Sequence, residues 1–162
     1  MIRAAIKGEA TILTRISFES KGHWNYPKKY FDIWESELTI RPDDIVENHV
    51  YVVENNGDIV GYYSVTELRQ DRQLFEMKLE KGFWLEHMFV LSSNIGQGFG
   101  TEMFEHLREW CKSHRVNRLF ILADPNAKGF YEKMECEYQE DFPSTVANRT
   151  TPLFTLDIEP QE

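Results

Sequence analysis

Apolar and polar residues recur along the chain with two different periods, which predict both helices and strands. Apolar residues spaced three or four apart indicate helices that bury one face, and short runs rich in β-branched and aromatic residues indicate strands. The predicted elements, in chain order, are a strand at 3–7, helices at 9–20 and 27–38, strands at 50–53, 59–65 and 83–91, a helix that ends near 114, a strand at 119–123, a helix at 126–134, and strands at 138–142 and 153–158. This order predicts an α+β fold in which helices flank a mixed, mostly antiparallel central sheet.

Two positions give sharper local signals. Asn56-Gly57 joins two of the strand-like runs, and Asn-Gly is the strongest short sequence signal for a β-hairpin. Pro27 suits the first turn of the second helix, because its fixed φ is helical and its missing N–H would have no acceptor there. The charged segment 70–81 contains scattered apolar residues, and its pattern fits either a hairpin or a loop.

Composition narrows the class of protein and of partner. With 162 residues, of which 41% are hydrophobic and 28% charged, we expect one globular domain over residues 1–162. The net charge of −9 disfavours a nucleic-acid partner, which needs a basic surface, and weakly favours cationic partners such as amines. No apolar run approaches the ~20 residues that span a bilayer, and the N-terminal pattern is not that of a secretion signal. We therefore expect a cytoplasmic protein that has no membrane partner.

The spacing of the cysteines and histidines argues against a metal centre. Cys111 and Cys136 are far apart, without a Cys-x-x-Cys pair or a neighbouring histidine at ligand spacing. Cys111 falls in the apolar stripe of a predicted helix, which favours a small buried hydrophobic residue. We expect neither a disulfide framework nor a metal site.

The most informative segment runs from Phe89 to Thr101, where a predicted strand passes through a glycine-rich turn into an amphipathic helix. Glycines at 96, 98 and 100 allow consecutive backbone N–H groups to face one concavity, and the helix adds its own unpaired donors. This pattern predicts a phosphate cradle, although glycines also serve tight turns and close helix packing. The lysine of a P-loop is missing, and the early parallel βαβ unit of a dinucleotide site is not predicted.

This segment resembles the GNAT superfamily of acyl-CoA-dependent N-acyltransferases, whose signature is Arg/Gln-x-x-Gly-x-Gly/Ala. Ile95, Gly98 and Gly100 take the first, fourth and sixth positions, and Ile95 departs from the usual Arg or Gln. The resemblance implies that backbone N–H groups of residues 96–101 hold the pyrophosphate of acetyl-CoA. The cofactor-binding residues expected from it are Phe89, Val90, Ile95, Gly96, Gln97, Gly98, Phe99, Gly100, Thr101 and Asn126.

A second block, residues 124–134, is similar to the family pattern Asn-x-x-Ala-x-x-Phe-Tyr-x-Lys-x-Gly-Phe with shorter spacing. Asn126 is its asparagine, and Glu135-Cys136 stands where the family has Gly-Phe, which leaves the geometry of that turn open. The resemblance implies a sheet splayed at its fourth and fifth strands, with the pantetheine arm of the cofactor entering the gap.

Acyl transfer to an amine needs a neutral nucleophile and a proton for the departing thiolate. Tyr131 matches the family tyrosine that serves as general acid, although a tyrosine on such a helix also suits core packing. Glu86 and His87 are adjacent on a strand and must point to opposite faces, so only one of them faces a given side of the cleft. We favour Glu86 over His87 as the base, on the supposition that burial raises its pKa, while a structural polar pair is the alternative.

The acceptor site is less defined by sequence. Trp24, in a loop at 21–26, and Ser144 and Arg149, in a polar loop at 143–152, are candidate substrate-binding residues. The function expected is transfer of acetyl from acetyl-CoA to a primary amine by direct attack in a ternary complex. A non-catalytic acyl-CoA sensor of the same fold and a phosphate-binding module unrelated to CoA are the alternatives, and a homodimer is left open.

Overall fold

The computed structural model describes residues 1–74 and 76–159. Within them the strands are β1 (Ile2–Ala4), β2 (His49–Asn55), β3 (Asp58–Leu68), β4 (Arg72–Leu74), β5 (Met77–Leu79), β6 (Gly82–Val90), β7 (Arg118–Leu122), β8 (Glu137–Pro143) and β9 (Thr150–Asp157). The α-helices are α1 (Ala10–Gly22), α2 (Lys28–Leu38), α3 (Pro42–Glu47), α4 (Phe99–Ser113) and α5 (Lys128–Lys133). Short 3₁₀ turns lie at Lys7–Glu9, Ser92–Asn94 and Pro125–Ala127.

Seven of the described strands form one mixed sheet in the order β1-β2-β3-β6-β7-β9-β8. The pairs β1/β2, β2/β3, β7/β9 and β8/β9 are antiparallel, and β6/β7 is parallel. This arrangement confirms the predicted α+β class and the central position of β6. The segment 70–81, for which the sequence left a hairpin or a loop as alternatives, contains the antiparallel pair β4/β5. Phe75 lies outside the described residues.

Contacts between Cα atoms divide the chain into two compact units. The first unit comprises Met1–Val65 and His87–Met103, and the second comprises Thr66–Glu86 and Phe104–Glu162. Both β6 and α4 contribute residues to each unit. The glycine-rich turn therefore belongs to the first unit, and the block at 124–134 belongs to the second.

The core of the first unit forms where α1 packs on β2 and β3. Leu13, Ile16, Val52 and Tyr62 are fully buried there. The Tyr62 hydroxyl and Ser17 Oγ are 2.5 Å apart, and Ser17 Oγ also donates to the Leu13 carbonyl. Tyr62 and Ser17 therefore form a buried polar pair whose hydrogen bonds are satisfied.

Gly61 lets the backbone of β6 lie close to β3. A Cβ built on Gly61 would lie 2.8 Å from the Phe89 carbonyl oxygen and 3.3 Å from Met103 Cε. A side chain at this position would push against main chain, which has little freedom to move. Glycine is therefore required where β6, the strand that leads to the glycine-rich turn, runs beside β3.

Aromatic stacking organises the second unit around β6 and β7. The rings of Trp84 and Phe120 stack with centroids 4.8 Å apart, and Trp84 Nε1 donates to the Glu80 carbonyl over 2.9 Å. Around this pair lie the buried residues Leu79, Phe142 and Leu153. The indole is thus buried with its one donor satisfied.

Element boundaries depart from the sequence prediction in three places. The helix α3 was not predicted, although Pro42 in its first turn and Asp43 and Asp44 behind it are helix-start signals. The predicted strand at 3–7 ends at Ala4, because Glu9 accepts the Ile6 N–H and nucleates a 3₁₀ turn. The predicted helix at 126–134 is a 3₁₀ turn followed by α5. No helix within the described ranges is both long and apolar enough to cross a membrane.

Candidate active site

The glycine-rich turn adopts a backbone conformation that only glycine takes without strain at two positions. Gly96 has φ +84° and Gly98 has φ +90°, both in the left-handed region. Apart from the adjoining residues, a Cβ at either position would meet no atom of the described part of the chain within 4 Å. The turn therefore presents bare backbone to open space on the side where these side chains would project.

Unpaired donors converge just after this turn because α4 starts there. The Glu102 N–H donates to the Gly98 carbonyl over 3.0 Å, so the helical hydrogen-bond ladder begins at Gly98. The first four N–H groups of an α-helix have no acceptor within the helix, and here they belong to residues 98–101. With the positive end of the helix dipole behind them, they form a site suited to a phosphate anion.

Side chains on the preceding 3₁₀ turn brace this backbone. Gln97 Nε2 donates to the Ser93 carbonyl over 3.2 Å, and Ser93 Oγ donates to Asn94 Oδ1 over 3.1 Å. The Leu91 N–H is used in the sheet, where it donates to the Val60 carbonyl over 2.8 Å. Ile95 is 41% exposed, so its apolar side chain leaves the concavity to the main chain.

The predicted cofactor-binding residues on β6, Phe89 and Val90, are both half-buried. The Phe89 ring lies 6.0 Å from the Tyr62 ring and 5.6 Å from the His87 ring. These aromatic contacts hold the end of β6 against the core of the first unit, immediately before the glycine-rich turn.

Glu86 and His87 point to opposite faces of β6, as strand alternation requires. His87 Nε2 lies 2.7 Å from the Glu37 carbonyl oxygen, and Nδ1 lies 3.1 Å from Ser64 Oγ. Both ring nitrogens are therefore engaged by groups of the first unit. Glu86, in contrast, is exposed, so the burial that the sequence argument supposed for its carboxylate is not present.

Tyr131 is buried in an aromatic cluster of the second unit. Its ring centroid lies 5.2 Å from Phe130, 5.9 Å from Phe154 and 6.2 Å from Phe104. Burial raises the pKa of the Tyr131 hydroxyl well above its usual range, and the nearby Cys136 and Asp124 act in the same direction. The hydroxyl therefore stays protonated near neutral pH.

The turn after α5 keeps a glycine-like geometry without glycine. Glu135 has φ +69°, the left-handed conformation that glycine adopts readily. The Cys136 N–H donates to the Tyr131 carbonyl over 3.0 Å and closes the helix end. The substitution of Glu135 for the family glycine thus retains the helix-ending turn that follows Tyr131, at the cost of backbone strain.

Asn126, Ser144 and Arg149 lie on turns and loops of the second unit. Asp124 Oδ1 accepts the Asn126 N–H over 2.8 Å and fixes the start of the 3₁₀ turn. Ser144 Oγ accepts the Val146 N–H over 3.1 Å, and the Ser144 N–H donates to the Arg149 carbonyl over 2.8 Å. The loop that carries Ser144 and Arg149 is therefore closed on itself.

Trp24, the candidate acceptor-site aromatic, lies on the turn after α1. It is 41% exposed, and its ring meets His23 edge-on with centroids 4.6 Å apart. Sequence reasoning missed a neighbouring set in the same unit, Tyr26, Tyr30 and Trp34, whose rings contact one another. Their spacing of four residues is the sequence signal that could have revealed it.

The possible metal-ligand side chains and the two cysteine thiols are the remaining groups with site chemistry in the described part of the chain. Within residues 1–74 and 76–159, the His, Cys, Asp and Glu side chains form no group of three that suits a metal ion. Burial raises the pKa of Cys111 to about 12 and that of Cys136 to about 11. Both thiols are buried and protonated, and the predicted burial of Cys111 is confirmed.

Comparisons with solved structures support the same fold. A GCN5-related N-acetyltransferase from Rhodopseudomonas palustris is 15% identical, with a TM-score of 0.73 over 98% of this chain and 95% of that one. A PaiA N-acetyltransferase from Thermoplasma acidophilum, in complex with coenzyme A, is 11% identical, with a TM-score of 0.72 over 97% and 98%. The ribosomal-protein-S18-alanine N-acetyltransferase from Escherichia coli is 14% identical, with a TM-score of 0.67 over 100% and 96%.

Sequence comparison assigns the family. A search of curated protein sequences gave no match. The family model for the acetyltransferase (GNAT) family matches residues 15–135, a span that includes β6, the glycine-rich turn and Tyr131. Because that match covers most of the chain and the fold agrees with it, this protein belongs to the GNAT acetyltransferase family.

Proposed function

We propose that this protein is a cytoplasmic, single-domain N-acetyltransferase that moves an acetyl group from acetyl-CoA to a primary amine by direct attack in a ternary complex. The observation that carries the proposal is the glycine-rich turn, where bare backbone at Gly96 and Gly98 leads into the unpaired donors of α4. Its family uses acyl-CoA, whose pyrophosphate is the anion that such a turn suits. The cytoplasmic location stays a prediction from the sequence.

The backbone donors and the open space of the turn suit the pyrophosphate of acyl-CoA. N–H groups of residues 98–101 donate to phosphate oxygens, and the open space over Gly96 and Gly98 lets the ligand approach the main chain. Ile95 adds no charge, so binding rests on backbone donors and the helix dipole. The residues on β6 ahead of the turn, Phe89 and Val90, and Asn126 complete the proposed cofactor contacts.

Tyr131 serves as the proton donor in this proposal. The neutral amine nitrogen attacks the thioester carbonyl carbon, and the tetrahedral adduct loses its surplus N–H proton to solvent. The C–S bond then breaks, and the departing thiolate takes a proton from the Tyr131 hydroxyl. Burial raises the pKa of the Tyr131 hydroxyl, so it carries its proton at neutral pH and gives it up only to the negative charge that develops on the sulfur. Solvent then returns the proton to Tyr131.

We favour Glu86 over His87 as the base in this proposal. Its carboxylate is exposed and able to accept a proton from the incoming ammonium directly or through water. Both nitrogens of His87 are held by Ser64 and the Glu37 carbonyl, so His87 has a positioning role in this account. Direct attack also suits the two protonated, buried cysteines, which offer no thiolate for a covalent intermediate.

The acceptor is proposed to be a cationic amine that loses its proton on the enzyme. The net charge of −9 favours such partners. Among the structural relatives, one is named for an alanine of a ribosomal protein, which is an amine acceptor of protein origin. Trp24, Ser144 and Arg149 are the proposed contacts to the acceptor.

Calorimetry with acetyl-CoA, ATP and NAD tests directly which of these ligands the protein binds. The proposal predicts that acetyl-CoA binds and that ATP and NAD do not compete with it at equal concentration. A panel of primary amines, followed by release of free thiol, then separates an enzyme from a sensor. Tight acetyl-CoA binding without thiol release on any amine would favour a non-catalytic acyl-CoA sensor, and preferential ATP or NAD binding would refute the assignment to CoA.

A further inference from the structure

Three aromatic rings in the first unit form a compact cluster, which we call the aromatic box: Tyr26, Tyr30 and Trp34. The ring centroids are 5.0 Å apart for Tyr26 and Trp34, 5.5 Å for Tyr30 and Trp34, and 6.1 Å for Tyr26 and Tyr30. Tyr30 and Trp34 lie one turn apart on α2 and therefore share one helix face. Trp34 is only 4% exposed and forms the floor, while both tyrosines are half-buried at the rim.

An ammonium group already occupies this box. Lys21 Nζ lies 4.4 Å from the centroid of the Trp34 ring and 5.4 Å from that of Tyr26. Both distances are within the range at which a cation is attracted by the negative face of an aromatic ring, and tryptophan attracts it most strongly. The geometry therefore shows that an alkylammonium fits the box.

Lys21 reaches the aromatic box with a flexible side chain. It lies in the last turn of α1, and its flexible stem leaves the helix backbone unconstrained when the side chain rotates. The floor is fixed by comparison, because the Trp34 ring meets Phe31 edge-on at 5.7 Å and Phe31 in turn stacks on Phe18 at 6.2 Å. The ammonium is thus carried by a flexible side chain, whereas the aromatic floor is held by ring contacts with Phe31 and Phe18.

The box is tied to the strand that leads into the glycine-rich turn. The Glu37 carbonyl, three residues after Trp34 on α2, accepts a hydrogen bond from His87 Nε2 on β6. The helix that carries the box is thereby fixed to β6, whose chain continues into the turn at 96–101. All of these groups belong to the first unit.

We infer that the aromatic box is the recognition site for the cationic group of the acceptor, and that Lys21 occupies it until an alkylammonium ligand displaces it. The acceptor role rests on the proposed acetyltransferase function, whereas binding of an ammonium to the box does not. The ligand class is an aliphatic ammonium ion, since the box offers aromatic faces suited to a compact cation.

Choline and its uncharged tert-butyl analogue are the probes that test this inference, measured by calorimetry without acyl-CoA. In Lys21→Ala the resident ammonium is gone, and we expect choline to bind roughly tenfold tighter than to the parent, which corresponds to about 1.4 kcal/mol. Lys29→Ala is the matched control, because it removes the same charge from an exposed position of α2, and we expect a change of less than about twofold. The affinity for the uncharged analogue should be the same in Lys21→Ala as in the parent.

A second variant tests the box itself. Tyr26→Leu in the Lys21→Ala background removes one ring at the rim, and we expect the gain in choline affinity to be lost while circular dichroism stays that of the parent. Equal choline affinity in the Lys21→Ala and Lys29→Ala variants, or an equal gain for the uncharged analogue, would overturn the inference. Amine-dependent thiol release with an unchanged amine KM in Lys21→Ala would overturn it while leaving the proposed function standing. Choline binding to the box without thiol release on any amine would support the inference about the box and contradict the proposed acetyltransferase function.

Discussion

His87 Nε2 lies 2.7 Å from the carbonyl oxygen of Glu37, so a side chain of β6 is bonded to the main chain of α2. A carbonyl only accepts, and Nε2 must therefore carry the proton of the neutral imidazole. Nδ1, at 3.1 Å from Ser64 Oγ, then accepts the Ser64 hydroxyl. The lone pair that a general base needs is thus already used within the first unit.

This bonding separates the expected effects of Glu86→Gln and His87→Gln. Glu86→Gln should lower turnover while leaving acetyl-CoA affinity unchanged. His87→Gln should instead raise the KM for the amine through a loosened α2, with turnover retained. The measurement is the turnover number and the amine KM from thiol release for both variants at saturating acetyl-CoA. Loss of turnover in His87→Gln alone would exchange the two roles, and unchanged turnover in both variants would assign deprotonation to solvent.

Gly98→Ala separates ligand contact from backbone strain. The φ of +90° disfavours alanine by about 1 kcal/mol, and the new Cβ would project into the open space proposed for the pyrophosphate. We expect acetyl-CoA to bind at least roughly tenfold more weakly. Gly57→Ala is the matched control, because its φ of +86° imposes a similar strain in the β2–β3 hairpin and its Cβ also meets open space. Equal acetyl-CoA affinity in the two variants would place the phosphates elsewhere.

Tyr131→Phe is expected to lower turnover on the order of 10²-fold with little change in acetyl-CoA affinity. The hydroxyl is needed only as the C–S bond breaks, while the ring contacts with Phe104, Phe130 and Phe154 are retained. Tyr138→Phe, at a residue that is 41% exposed in the same unit, should leave turnover within about twofold. An unchanged turnover number in Tyr131→Phe would assign this tyrosine to packing alone.

Glu9 makes the stability of the first unit depend on pH in the acid range. Arg3 donates to both carboxylate oxygens of Glu9, over 3.0 and 2.7 Å, and these bonds, with the Ile6 N–H, lower the pKa of Glu9 despite its burial. A carboxylate with a lowered pKa stabilises the fold above its unfolded value near 4.5 and loses that effect as the pH falls through the folded value.

Glu9→Gln should therefore lower the free energy of unfolding by about 1–3 kcal/mol at neutral pH. The difference from the parent should shrink as the pH falls below the unfolded value near 4.5 and through the lowered folded value, where the parent carboxylate becomes protonated. Urea unfolding at a series of pH values measures it. Glu19→Gln is the control, because its exposed pairing with Arg15 at 3.8 Å is worth at most about 0.5 kcal/mol. A difference that persists unchanged into acid would rule out the ionised pair as its source.

The sequence predicted the parts of the fold that local pattern determines. Asn56-Gly57 specifies its own hairpin, since both residues adopt positive φ, and the apolar stripe of α4 specifies which face is buried. The helix α3 was not predicted, because six residues are too few to show a helical period, even with Pro42 at its start. The candidate residues of the glycine-rich turn were accessible because glycine spacing itself encodes the backbone geometry.

The side-chain environments were not accessible from local pattern. Glu86 was expected to be buried on a central strand, but burial there depends on what packs over each face, which is a tertiary property. The bond from His87 to Glu37 joins residues fifty positions apart, and no sequence period relates them. The aromatic box was visible as a spacing, yet Lys21 reaches it only because α1 and α2 lie side by side.

The stoichiometry of transfer by the parent protein tests direct acetyl transfer to an amine. With acetyl-CoA and a primary amine found active in the panel, we expect free thiol and acetylated amine to appear in equal amounts, both dependent on the amine. We also expect the mass of the protein to stay unchanged when acetyl-CoA is supplied alone. An acetylated protein that forms first and then transfers its acetyl group would contradict direct attack, and the absence of acetylated amine with every acceptor would contradict the proposed function itself.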